Sequence, residues 1–128
     1  MLFSLCSLSQ EPCCFFSEDK FASGRFYAGL LDAQPIEASP GFVLFVLNSG
    51  LKLGLWARPA VKPRPVASAG CTELGFPMKY VDQVDAVHAD WTARGVSIAQ
   101  PPTDMDFGRT FLALDPDGHR LRVYALLA

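Results

Sequence analysis

The feature that most constrains this chain is an internal repeat. Glu18-Asp19-x-x-Ala22 matches Asp82-Gln83-x-x-Ala86 at an offset of 64, half of the 128 residues, and that register sets Tyr27 over Trp91. Further on, Gly50 matches Gly118 at an offset of 68, which sets Leu53 over Leu121, Leu55 over Val123 and Trp56 over Tyr124. A unit repeated once at this length predicts two copies of one supersecondary plan. Each half reads as a strand, a helix and then further strands.

The first copy begins with the strand-like run Cys13-Cys14-Phe15-Phe16-Ser17. Ser17 reads as a helix N-cap, with Glu18 and Asp19 in the first turn. Ala22, Phe26 and Leu30 then form a helical stripe, and Pro35 prevents continuation. Residues 42–47 and 51–57 read as strands around the Asn48-Ser49-Gly50 turn. Pro59, Pro63 and Pro65 make a stiff connection. The second copy has a strand over 74–81, then a helix capped by Asp82 that carries Val84, Val87 and Trp91, with Gly95 as its C′ residue. After a loop around Pro101-Pro102, strands over 109–114 and 119–126 flank the Asp115-Pro116-Asp117-Gly118 turn.

Composition narrows the class. Half of the residues are hydrophobic and the net charge is −2, so there is no broad basic surface for nucleic acid. The start, Met1 to Ser9, lacks Lys and Arg, and its apolar stretch is too broken for a secretory leader. No segment has the ~18 apolar residues of a membrane span. These readings predict a cytoplasmic protein with no membrane partner. Cys6, Cys13, Cys14 and Cys71 are then expected as reduced, structural thiols. His88 reads as a surface or partly packed side chain, and His119 as a turn residue. Gly-rich phosphate loops, Ser-His-Asp order and Cys-x-x-Cys pairs are missing from the sequence.

Three motifs carry a resemblance that runs from about residue 13 to the C-terminus: Phe26-Tyr27-x-x-Leu30-Leu31, Val81-Asp82-x-Val84-Asp85-Ala86 and Asp115-Pro116-Asp117-Gly118-His119. In this order and spacing the chain resembles the vicinal-oxygen-chelate superfamily, which includes glyoxalase I, bleomycin-resistance proteins and extradiol dioxygenases. The resemblance implies an α+β fold in which two βαβββ modules curl their mixed sheets into a cup. Residues 1–128 would make one domain, with module one at about 10–58, a linker at 59–72 and module two at 73–128. It also implies a homodimer.

Metal enzymes of that family set His, Gln or Glu ligands on the first and last strands of each module. The positions that match here are Pro12, Gly54, Phe76 and Arg122. None of these ligates a cation, and Arg122 repels one. No metal, cofactor or catalytic residue is therefore expected. Strand alternation instead predicts a cup lined by Trp56, Phe76, Met78, Tyr80 and Tyr124 beside Arg122. Gly54 would leave a flat space beside Trp56 over which a ring could lie. Aromatic walls with a few polar handles suit a planar organic ligand, and Arg122 would pair its carboxylate or stack on its ring.

The run from Asp106 to Leu112, with Asp115–His119, Arg122-Val123 and Leu55-Trp56, is similar to the phenazine-antibiotic resistance proteins of the superfamily. That likeness implies sequestration of an aromatic antibiotic between aromatic side chains, with Trp56 stacking and Phe107 and Arg109 near the mouth of the site. The alternative is a glyoxalase-like or dioxygenase-like metal-dependent enzyme, which bound metal on purification would favour. An empty-cupped interaction module is a third reading, opposed by any aromatic dye that quenches Trp fluorescence.

Overall fold

The computed structural model describes residues 12–48, 50–70 and 72–127. It divides between Ser68 and Ala69 into two compact units. The first contains β1 (Pro12–Ser17), α1 (Lys20–Leu31), β2 (Glu37–Ser39), β3 (Phe42–Val46) and β4 (Lys52–Ala57), then a short 3₁₀ turn, Arg58–Ala60. The second contains β5 (Glu73–Pro77), α2 (Val81–Ala93), β6 (Ser97–Met105), β7 (Gly108–Leu114) and β8 (Arg120–Leu126). Both are βαβββ units. Their sheets have the orders β1-β4-β3-β2 and β5-β8-β7-β6. In each, the first strand runs parallel to the last and the other pairs are antiparallel. This is the expected α+β class with two βαβββ modules.

Each sheet has one face covered by its own helix. In the first unit Phe15, Val43, Phe45, Leu53 and Leu55 are buried, as is Tyr27 on α1, whose ring lies 6.4 Å from that of Phe15. The Ser17 hydroxyl, two residues beyond Phe15, donates to Ser23 Oγ of α1 at 2.9 Å. Ser17 is thus strand and core. The N-cap is Asp19, whose carboxylate accepts from the Phe21 and Ala22 backbone N–H groups. The expectation of Ser17 as cap is two residues early, because β1 continues through it. Asp32 closes the helix with a left-handed φ of 51°, and its Ala33 neighbour donates to the Ala28 carbonyl.

The second unit repeats this with a larger aromatic core. Phe76 and Phe111 pack edge-on against Trp91 at 5.9 and 5.5 Å, and His88 lies against Phe111 at 5.3 Å. Edge-to-face pairs of this kind add about 1 kcal/mol each beyond their area. Leu74, Leu121, Val123 and Ala125 complete the buried face. β5 ends at Pro77, and Tyr80 rather than Asp82 is the N-cap of α2. Gln83 folds back to accept from the Lys79 and Tyr80 N–H groups. Gly95, at φ 84°, ends the helix as expected, with its own N–H bonded to Thr92 and that of Val96 to Trp91.

Two strands went unread in the sequence. β2 has three exposed residues and no hydrophobic pattern. β6 contains Pro101-Pro102, which read as loop. The strand accommodates them through register shifts between Ile98 and Thr103, at the edge of its sheet, where a missing donor costs no ladder bond.

Candidate ligand-binding site

The register fixes which side chains occupy the sheet faces turned away from the helices. In the first unit Cys14, Gly54 and Leu44 are cross-strand partners, and Phe16, Trp56 and Phe42 are the next such row. Phe16 meets Trp56 edge-on at 6.1 Å. Leu53 and Leu55 take the helix side and are fully buried, whereas Trp56 is half-buried on the other. The face predicted for Trp56 therefore matches its placement. The flat space beside Gly54 is already filled. A Cβ there would lie 2.8 Å from the Phe42 ring and 3.0 Å from Cys14 Sγ. Glycine is required so that the protein's own ring can cross this spot.

In the second unit the rows are Glu73 with Arg120, Gly75 with Arg122 and Leu112, and Pro77 with Tyr124 and Thr110. Phe107, in the β6–β7 turn, presents its ring to Tyr124 at 6.4 Å. A Cβ at Gly75 would meet the Tyr124 ring at 3.3 Å, so here too a glycine seats an aromatic side chain.

Arg122 is the polar centre of this face. Its Nε donates to Glu73 Oε2 at 2.9 Å and its Nη2 to Glu73 Oε1 at 3.0 Å. Its Nη1 donates to Gln100 Oε1 at 3.1 Å and to Thr110 Oγ1 at 3.2 Å. Arg120 donates to the same carboxylate through Nε at 2.8 Å. The bonds from Arg122 first, and then those from Arg120, hold the Glu73 carboxyl at about 2, well below its ordinary 4.5, against the opposing effect of its burial. Glu73 escaped the sequence reading, which started this strand at 74. The signal was there: Glu73 lies two residues before Gly75 and faces two arginines spaced by two on the last strand.

The remaining expected site residues lie elsewhere. Phe76 faces the helix and packs on Trp91, one residue out of phase with the prediction. Met78 and Tyr80 follow the end of β5, so strand alternation no longer places them. Met78 donates its backbone N–H to the Tyr124 carbonyl, and Tyr80, 57% exposed, caps α2. Arg109 points to the helix side of β7, not to the face of Arg122. It binds Asp85 of α2 at 3.0 Å and Asp104 of β6 at 2.8 Å, and both carboxylates raise its pKa. The structure thus brings Arg122, Tyr124 and Phe107 together on one face of the second unit. It places Trp56 on the corresponding face of the first.

A divalent cation can be tested against the same positions. Cross-strand pairing assigns them to Cys14 and Gly54 in the first unit and to Gly75 and Arg122 in the second, replacing Phe76 by Gly75. The side chain of Pro12 lies outside the described residues. One thiol, two glycines and a guanidinium do not make a ligand set, and the nearby Glu73 carboxylate is committed to two arginines. Among the described residues, the one cluster with metal-like spacing is Asp115, Asp117 and His119, in the β7–β8 turn. There Asp115 Oδ1 accepts the backbone N–H groups of Asp117 and His119, which closes the turn. Among the described residues, those at the family's ligand positions do not fit a metal.

Paired βαβββ units, each with a sheet face turned from its helix, define an α+β protein of the paired-module class. The model of the Glyoxalase/Bleomycin resistance protein/Dioxygenase superfamily matches residues 10–123, and the chain belongs to that superfamily. It is 32% identical over 109 residues to the phenazine antibiotic resistance protein EhpR of Enterobacter agglomerans, covering 81% of each chain. It is 46% identical to protein ATC0852 of Agrobacterium tumefaciens, whose solution NMR structure superposes with a TM-score of 0.83 over 92% of this chain and 98% of that one. A glyoxalase/bleomycin resistance protein/dioxygenase from Nocardioides shares the fold, with a TM-score of 0.82 at 22% identity over 92% of this chain and 83% of that one.

Proposed function

We propose that this chain is a cytoplasmic, metal-free binding protein that sequesters a planar aromatic small molecule, of phenazine type, and that it does so as a homodimer. The observation that carries the reading is the make-up of the two helix-free sheet faces. Where metal enzymes of the family need ligands, these faces have glycine, a thiol and an anchored arginine, flanked by aromatic pairs: Phe16 with Trp56, and Phe107 with Tyr124. Rings of this kind favour offset or edge-on contact with another planar ring. The identity to a phenazine antibiotic resistance protein supports the ligand class. Each face is proposed as a ligand surface by itself: Trp56 on that of the first unit, and Phe107, Arg122 and Tyr124 on that of the second. Among the described residues, no helix is long and apolar enough to cross a membrane.

The test uses the two tryptophans. Trp91 sits against Phe76 and Phe111 in the helix-side core, so its emission is a fixed background. Titration with phenazine should quench fluorescence saturably at micromolar concentration, equally before and after treatment with a chelator. Trp56→Phe should remove most of the quenching. A divalent ion retained at one per chain, together with turnover of a methylglyoxal–thiol adduct, would replace this reading by the metal-dependent enzyme.

A further inference from the structure

Resting on the binding function proposed above, we infer that Arg122 recognises the ligand by the flat face of its guanidinium, as a stacking plate, and does not pair with a ligand carboxylate. A guanidinium has five N–H donors. Four of those on Arg122 are engaged by Glu73, Gln100 and Thr110. The one left on Nη2 cannot form the two-pronged fork by which arginine normally grips a carboxylate. To make that fork, the side chain would have to abandon Glu73 or the Gln100–Thr110 pair.

The positions of the acceptors orient the plate. Glu73 lies on β5, to one side of β8, while Thr110 on β7 and Gln100 on β6 lie to the other. Hydrogen bonds to a guanidinium lie in its plane. A group held from both flanks therefore stretches across the strands, along the sheet, with one π-face turned outward. The Arg122 side chain keeps 18% of its surface exposed, and Tyr124 stands two residues further along the same face. Two arginines share one carboxylate here, so the plate keeps a net positive charge of one. The ligand class that fits is a planar aromatic ring system, selected by its π-surface and not by an acidic substituent.

The experiment compares phenazine with phenazine-1-carboxylate on the wild type, Arg122→Lys and Glu73→Gln. Lysine keeps the charge and loses the plane, so it should weaken both probes alike, by roughly tenfold. Glu73→Gln keeps the guanidinium and removes the charged half of its anchor. It should weaken uncharged phenazine severalfold, an effect a carboxylate-pairing role does not predict. The inference is overturned if Arg122→Lys weakens only phenazine-1-carboxylate, if it changes neither probe, or if Glu73→Gln leaves phenazine affinity intact. If the wild type binds neither probe, the sequestration reading falls, and this inference with it. A wild type that binds while the variants behave otherwise than expected sinks the plate alone.

Discussion

Glu73 is the residue on which the polar face depends, and its chemistry sets a pH dependence. The folded state holds its carboxyl at about 2, against an ordinary 4.5. A lowered folded value means that the contribution to stability is complete above about pH 4.5 and disappears as pH falls through about 2. Urea midpoints should therefore show the wild type more stable than Glu73→Gln near neutrality, with the gap closing across that acid window. A gap that persists at pH 2 would show that the loss comes from shape and not from charge. At this scale the sequence was half legible. The face of Trp56 follows from counting four residues from Gly50 to Gly54 and then two more, and the count holds because β4 is regular. Phe76 was misplaced because the count ran back from Val81 as though the strand reached it. Pro77 ends the strand and Tyr80 caps a helix, so the parity slipped by one, which moves a side chain to the opposite face.

At the scale of elements, Arg109 changes its meaning. The motif around it suggested a residue at the mouth of a site. Its side chain instead pins α2 to the β6–β7 hairpin through Asp85 and Asp104. Arg109→Ala should lower the urea midpoint only slightly, since both partners are at least half exposed. It should leave phenazine affinity within about twofold, a margin well inside the effect of one lost polar contact. A large loss of affinity at unchanged stability would return Arg109 to the site. The helices themselves were legible from their stripes, because Tyr27 and Trp91 anchor the two cores as the repeat predicts. Their starts were not. Asp19 caps with its carboxylate, but Ser17 two residues earlier offers the same chemistry, and Tyr80 is not a residue type that signals a cap. β6 was hidden for a different reason: two adjacent prolines mimic a loop, and only an edge position with shifted register tolerates them.

For the whole molecule, the repeat was the strongest signal, and the offset of 68 that set Trp56 over Tyr124 reappears in the sheets. Phe42 pairs with Trp56 as Thr110 pairs with Tyr124, and Leu44 with Gly54 as Leu112 with Arg122. Each sheet of four strands ends on a short first strand, β1 or β5, and on β2 or β6. Open sheet edges in general invite pairing, and that tendency is the ground for the proposed homodimer. Light scattering coupled to gel filtration should give twice the 13.9 kDa of one chain, and a mass of one chain at micromolar concentration would remove that proposal.

The glycine beneath the Phe42 ring has an evolutionary corollary. A glutamate at 54 would drive its Cβ into that ring, one at 75 would press on Tyr124, and one at 122 would strip Glu73 of its main counter-charge. At three of the four positions, then, a carboxylate ligand would disturb a different neighbour. Conversion of these faces to cation chemistry would call for compensating changes around each of the three.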